Sequence, residues 1–232
     1  MLMPSTSLRP TARGPRRRLQ CLAVGLGVTA ILGAGLTTGP ATASEAPAEI
    51  SGDPHSPRVA ELATVALDAK SSVSGAADRA GHDAYLTALE QVAIATASEM
   101  GVSQLQMTSA WLATDEAHQT AMLAALTQLG VEYRSATSEP GVGFDCSGLM
   151  LYAWRQAGFQ LSRQSGSQIS EADSREMSTA KAGDLAQYPG HVMMYLGVPQ
   201  AFVHSSNPQD DVELWLTSED RAAGLRYGDP TK

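Results

Sequence analysis

Apolar positions recur in two different rhythms along this chain. From about residue 58 to residue 129 the spacing is helical: Val59, Leu62, Val65 and Ala69 follow one another at three and four residues, and the pattern stops in Ser71-Ser72-Val73-Ser74-Gly75. A second stretch, about His82 to Met100, places Leu86, Leu89, Ala93 and Ala97 on one stripe and ends at Gly101. A third runs from Ser103 to about Ala113, and a fourth, from Asp115 to Leu129, carries Met122, Leu126 and Leu129 before Gly130. After Gly130 the segments shorten and turn residues multiply, as in Tyr188-Pro189-Gly190 and Gly197-Val198-Pro199. Between these turns Val192-Met193-Met194-Tyr195-Leu196 and Ala201-Phe202-Val203 read as buried strands. One helix is expected among them, Cys146 to about Ala157, with Met150, Trp154 and Ala157 on one face and Gly158 just past its end. Helices followed by strands predict an α+β fold rather than a doubly wound sheet.

Residues 1–43 differ from both rhythms. Arg9, Arg13 and Arg16-Arg17-Arg18 precede an uncharged stretch, Leu19 to Leu36 is apolar, and Ala41-Thr42-Ala43 follows. Basic end, apolar middle and A-x-A site form the layout of a secretory signal, cleaved after Ala43. An uncleaved anchor is the alternative, but Gly25, Gly27, Gly33 and Gly35 interrupt an apolar run already near the minimum span. Either reading exports the remainder, and cleavage leaves it with no stable membrane insertion. Residues 44–57, rich in Ala, Pro, Glu and Ser, read as a flexible linker; residues 58–113 form a helical segment, favoured as a spacer over a partner-binding unit or a cover over the groove; residues 114–232 carry the strands and the chemistry.

Composition changes this picture only after the leader is set aside. The full chain has 43% hydrophobic and 17% charged residues and a formal charge of −8. Removing the leader's five arginines from 16 cationic residues leaves 11 against 24 acidic ones, a balance of −13. Nucleic-acid binding is thereby disfavoured, since phosphate neutralisation needs a basic patch. Of the two cysteines only Cys146 remains, and a lone thiol in an exported chain is a buried filler, an intermolecular link or a reactive group.

Position favours the last of these. Asp145 is a good N-cap type, which puts Cys146 in the first turn of its helix, where unpaired backbone N–H groups and the helix dipole favour an anionic sulfur and can hold a developing oxyanion. If Leu196 pairs with Ala201 across the turn, His204 lies opposite Met193 and His191 opposite Ser206, so the two histidines share one face as diagonal neighbours. One can be a base and the other its orienter, provided the register does not slip. His55, His82 and His118 lie in linker or helical sequence and are read as solvated or core residues without partners. A Cys-His-His zinc site is disfavoured because its spacing, 45 residues from Cys146 to His191, lacks the close ligand pairs of such sites. Neither metal nor cofactor is expected.

These pieces resemble the NlpC/P60 cysteine peptidases, the bacterial cell-wall branch of the papain-like fold, over roughly a hundred residues from Asp115 to Leu216. In the family's order they are Ala125-Leu126-Thr127-Gln128-Leu129-Gly130-Val131-Glu132-Tyr133, Phe144-Asp145-Cys146-Ser147-Gly148-Leu149, Leu161-Ser162-Arg163-Gln164-Ser165 with Gln168, Ala182-Gly183-Asp184-Leu185, Gly190-His191-Val192-Met193-Met194-Tyr195-Leu196-Gly197, and Phe202-Val203-His204. The resemblance implies an antiparallel sheet packed with helices, Cys146 as nucleophile, His191 as general base and His204 as the third, polar member. It also implies Tyr133, Asp145 and Ser147 beside the substrate. The implied partner is a peptidoglycan stem peptide, cut between γ-D-glutamate and a diamino acid, and the implied location is secreted or wall-associated. An N-acetylmuramoyl-alanine amidase or acyltransferase on the same fold, and a non-catalytic wall-binding module, are the alternatives. Three places depart from the pattern: Arg134-Ser135-Ala136-Thr137 replaces an aromatic-Gly-Gly, Ser162 replaces a proline, and Ala186-Gln187 follows the Gly-Asp-Leu piece in place of an apolar, aromatic run.

Overall fold

A computed structural model describes residues 49–231 of the chain, so the expected leader, 1–43, lies outside the described residues. Capping residues start each of the first four helices. Ser56 accepts from Val59 N–H ahead of α1 (Pro57–Ser71), and Asp78 accepts from Gly81 N–H ahead of α2 (Arg79–Met100). Ser103 and Asp115 do the same for α3 (Gln104–Ala113) and α4 (Glu116–Leu126). Gly101 closes α2 at φ 69°, a left-handed conformation that glycine takes without strain. The α4 helix is central: every residue from Ala121 to Leu126 is buried, between α1 on one side and α5 (Cys146–Gln156) on the other.

In α1 the structure shifts the apolar stripe read from the sequence. Val59, Ala63 and Ala66 are buried, Leu62 and Ala69 are partly so, and Val65 is 55% exposed. Small alanines let α1 lie close against α2 and α4, and the larger Val65 is left outside. Ahead of α1, the stretch whose composition reads as a flexible linker is tied down from Ile50 onward. Gly52 N–H donates to Glu99 O, Asp53 N–H and Ser56 Oγ donate to the Glu99 carboxylate, and Leu214 N–H donates to Pro54 O.

Short strands β1 (Ser138–Glu139) and β2 (Gly143–Phe144) pair just before α5. Beyond α6 (Ser165–Glu171), six strands form one antiparallel sheet: β3 (Asp173–Arg175), β4 (Leu185–Tyr188), β5 (His191–Tyr195), β6 (Ala201–Ser205), β7 (Val212–Leu216) and β8 (Arg226–Asp229), in the order β3-β8-β4-β5-β6-β7. The α+β fold with an antiparallel sheet is therefore as the sequence predicts. Alternation gives the sheet two apolar faces. Leu185, Val192, Met194, Val203 and Leu214 join the helices in one core. Ala186, Met193, Tyr195, Phe202 and Tyr227 pack on the other side against Ala222 of α7 (Glu219–Ala223) and Leu225.

The helical segment is part of the main core, not a spacer attached to it. Val59, Leu89, Met107 and Trp111 belong to the same buried cluster as the sheet, and Trp111 Nε1 donates to Leu196 O at 2.9 Å. Among the described residues no helix is long and apolar enough to cross a membrane.

Buried charge joins α4 to the sheet. His118, read from sequence as having no partner, is fully buried with Nδ1 2.7 Å from Asp115 and Nε2 3.0 Å from Asp184, just ahead of β4. The same nitrogen lies 3.4 Å from Asp229 at the end of β8, whose carboxylate also takes Arg175 at 2.9 Å. Burial pushes the His118 imidazole towards neutrality, but hydrogen bonds to Asp184 and Asp115 outweigh it and hold the pKa above its ordinary 6.5. Sequence could not reveal this cluster, because its members come from four separate segments.

Removing one partner from a buried ionic cluster strands the others, so His118→Leu should destabilise the fold by about 3–5 kcal/mol in urea unfolding. His82→Leu, on the exposed side of α2, should change it by about 0.5 kcal/mol or less. A raised folded pKa means that His118's contribution is complete below about pH 6.5 and fades as pH rises through the folded value, so the His118→Leu deficit should shrink in alkaline buffer.

Candidate active site

Cys146 is held by the segment leading into it. Gly130 N–H donates to Val212 O and Val212 N–H to Val131 O, stitching the end of the α4 turn to β7. Tyr133 then pairs with Phe144, and Phe144 O accepts from Arg134 N–H at 2.9 Å and from Ser205 Oγ at 2.8 Å. Thus the carbonyl two residues before Cys146 is anchored to the residue after His204. Asp145 caps α5 through Gly148 N–H at 2.8 Å, as expected from the sequence. A side chain at 148 would run into Thr137 O, so glycine is required there. An α-helix gives no internal acceptor to its first N–H groups, which leaves those of Cys146 and Ser147 at the open end.

The cap is reinforced from α6's side of the site. Arg163 grips both oxygens of Asp145, at 2.9 and 2.6 Å, and reaches Ser147 Oγ at 2.8 Å. Ala136 N–H adds a bond to Asp145 at 2.7 Å, and Gln168 donates to Ser147 O and Ser162 O. Burial pushes the Asp145 carboxyl up, yet the Arg163 and backbone hydrogen bonds outweigh it and keep the pKa below its usual value. Of the residues expected beside a substrate, Asp145 and the buried Ser147 therefore have internal partners, and Tyr133 is half-buried next to Phe144.

The histidine register holds. Met194 pairs with Val203 and Tyr195 with Phe202, and Leu196 N–H donates to Ala201 O. His191 and His204 fall on the same face, both buried, with His191 Nε2 and His204 Nδ1 2.9 Å apart. His204 Nε2 in turn lies 3.1 Å from Glu213, directly opposite on β7. An ionised Glu213 can only accept, so a neutral His204 donates through Nε2 and accepts at Nδ1, His191 donates through Nε2, and His191 Nδ1 keeps its lone pair. Trp215 stacks on His204 with ring centroids 5.1 Å apart, and Tyr188 packs 5.1 Å from His191. The α5 helix packs against β5 and β6.

Burial, then the neighbouring His204 and the Arg221 charge, push the His191 pKa down from 6.5 to about 3. At neutral pH this imidazole is a free base, the form a thiol can give its proton to. Sequence reasoning put His191 and His204 on one face and Cys146 at a helix start, where the structure has them, but missed Glu213, Arg163's grip on the cap and Trp215. The Val212-Glu213-Leu214-Trp215-Leu216 alternation was the available signal, since it puts Glu213 and Trp215 on the face away from the core. His55 was also set aside, yet its Nε2 lies 3.9 Å from the other Glu213 oxygen. A hollow of about 670 Å³ lies elsewhere, between α1, α4 and the end of α5, lined by Lys70 and Glu116 among others and by none of these residues.

A thiol at a helix start and a hydrogen-bonded histidine pair on a β-hairpin, within an α+β domain, are parts that a cysteine hydrolase would need. Residues 130–221 match the NlpC/P60 family. A Mycobacterium tuberculosis protein named as a probable endopeptidase is 37% identical over 86 residues, 36% of this chain and 22% of that protein. The murein DD-endopeptidase MepH of Escherichia coli is 26% identical over 152 residues, 61% of this chain and 52% of its own. The matches thus span about a fifth to a half of these relatives. Among solved structures, RipD of Mycobacterium tuberculosis, described as a non-catalytic NlpC/p60 domain protein adapted to peptidoglycan binding, is 25% identical with a TM-score of 0.43, over 51% of this chain and 100% of that one.

A depressed folded pKa makes the unfolded chain bind more protons between about pH 3 and 6.5, so His191 adds stability above that window that is lost as pH falls through it. His191→Gln should make the acid limb of an unfolding-free-energy profile shallower, by up to about 1.4 kcal/mol per pH unit. An unchanged slope would contradict the neutral, buried state.

Proposed function

We propose that this protein is an exported cysteine endopeptidase that hydrolyses amide bonds in peptidoglycan stem peptides, with the bond between γ-D-glutamate and a diamino acid as the target. The hydrogen-bonded chain Glu213–His204–His191, together with Cys146 in the first turn of α5, carries this reading. The names of the relatives support the wall substrate, and the leader-like sequence of residues 1–43 supports export.

In this mechanism the Cys146 thiol gives its proton to His191 Nδ1 and the thiolate attacks the scissile carbonyl carbon. The N–H groups at the start of α5 donate hydrogen bonds to the oxyanion. Collapse of the intermediate breaks the C–N bond, and the imidazolium returns its proton to the departing amine. Water, deprotonated by the same nitrogen, then hydrolyses the thioester and releases Cys146. As charge develops on His191, Nε2–H stays bonded to His204, and Glu213 holds His204 in the tautomer that can accept it. Tyr133, half-buried beside the loop that carries the thiol, borders the substrate; Asp145 and Ser147 contribute by fixing the helix start.

Digesting purified sacculi with residues 44–232 and identifying the products by mass spectrometry tests the proposal. The protein should release fragments cut within the stem, and Cys146→Ala should release none. Equal digestion by both would sink the cysteine mechanism, and release of whole stems would identify an amidase instead. In the same assay His191→Ala should lower kcat by about 10²–10⁴-fold, as for a lost general base, and His204→Ala by less, because an orienting group is less essential than the base.

A further inference from the structure

Beside the imidazole pair stands a cation with no ion-pair partner among the described residues. The short helix α7 follows β7 directly, capped by Ser218 and closed at Gly224, and it directs Arg221 back over the face of the sheet that bears the histidines. The guanidinium lies 5.0 Å from the ring centroid of Tyr188 and 5.0 Å from that of Trp215. These are the rings that pack on His191 and His204, each at 5.1 Å, so the charge lies within about 10 Å of both imidazoles. Arg134, Arg163 and Arg175 all close ion pairs with carboxylates; among the described residues Arg221 closes none, and its side chain belongs to an exposed residue.

Such a cation has an electrostatic cost for the reaction. It opposes a positive charge on His191, whose imidazolium must form when the thiol is deprotonated. Two aromatic faces hold the guanidinium in place, but they do not neutralise it and leave its N–H fork free for a bidentate acceptor. A carboxylate brought in by the substrate would satisfy the fork and cancel the repulsion at the moment of reaction. A γ-linked glutamate has that group by construction, because its α-carboxylate stays outside the peptide bond. The reach fits as well: one extended residue spans about 3.5 Å, so a carboxylate one or two residues from the scissile carbon falls within the distance separating Arg221 from the imidazoles.

We propose that Arg221 is a specificity-determining residue that binds the free carboxylate of a residue flanking the scissile amide, so that substrates with this group unamidated are preferred. The inference rests on the hydrolase reading above and narrows its substrate class.

A matched pair of γ-D-glutamyl peptides, one with the free α-carboxylate and one with the α-carboxamide, tests it. Calorimetric titration into Cys146→Ala protein measures recognition without turnover. The acid should bind about tenfold more tightly than the amide. Adding Arg221→Gln should bring that ratio close to one with the amide affinity unchanged, and Arg221→Lys, which keeps a cation over the two rings, should retain part of the preference. A ratio that survives Arg221→Gln, or that is already one with Arg221 present, overturns the inference. Turnover by protein with Cys146 intact separates the two readings: an Arg221-dependent binding ratio without cleavage upholds the carboxylate site and sinks the hydrolase, whereas cleavage of both peptides at a ratio untouched by Arg221→Gln does the reverse.

Discussion

One buried hydrogen bond, from Ser205 Oγ to Phe144 O, decides where the thiol stands relative to the histidines. Its donor follows His204 on β6, and its acceptor precedes the Asp145 cap and Cys146. Local elements make the two halves separately: a cap and a required glycine set the helix start, and a hairpin register sets the imidazole pair. Neither half carries information about the other. The Ser205 link, supported by Arg134 N–H on the same carbonyl and by the Gly130–Val131–Val212 stitch, turns them into one site. A neutral hydrogen bond of this kind contributes only about 1 kcal/mol to stability, so its importance is one of position.

The two buried histidine clusters show how neighbours choose a protonation state. His118 and His191 are both removed from water, which favours the neutral ring in each. Around His118 stand Asp115 and Asp184, whose hydrogen bonds and charge outweigh burial and hold its pKa above the ordinary value, with Asp229 3.4 Å away. Around His191 stand a second imidazole and the Arg221 charge, which add to burial and leave a ring ready to take a proton.

Much of this was legible in the sequence, for identifiable reasons. Capping residues and glycines marked α2 to α5 within a few residues, because those signals are local. The histidine pair was legible because a tight turn and strand alternation leave little freedom in register. The phase of α1 was not: its buried stripe is Val59, Ala63 and Ala66, with Val65 left outside, and that depends on which helices lie against it. His118's partners and the tethering of residues 50–56 to Glu99 and Leu214 rest on contacts between distant segments, which no window of sequence contains. Glu213 lay between these cases, visible as a strand position but meaningful only once β7 is known to pair with β6.

Trp111 reaches across 85 positions to bond Leu196, just before the tight turn of the histidine hairpin, and Phe144 meets Ser205 across 61. Gly197 in that turn fits so closely against Ala110 and Ala182 that a side chain there would clash. The hairpin is thus wedged against a helix made long before it in the chain, and the base it carries is aligned by a strand made after it. Contacts of such long sequence separation form slowly, because loop closure must precede them. A chain emerging N-terminus first would present its helices, then its thiol, and only after residue 213 the whole Glu213–His204–His191 chain, so the site is a property of the completed fold and not of any growing fragment.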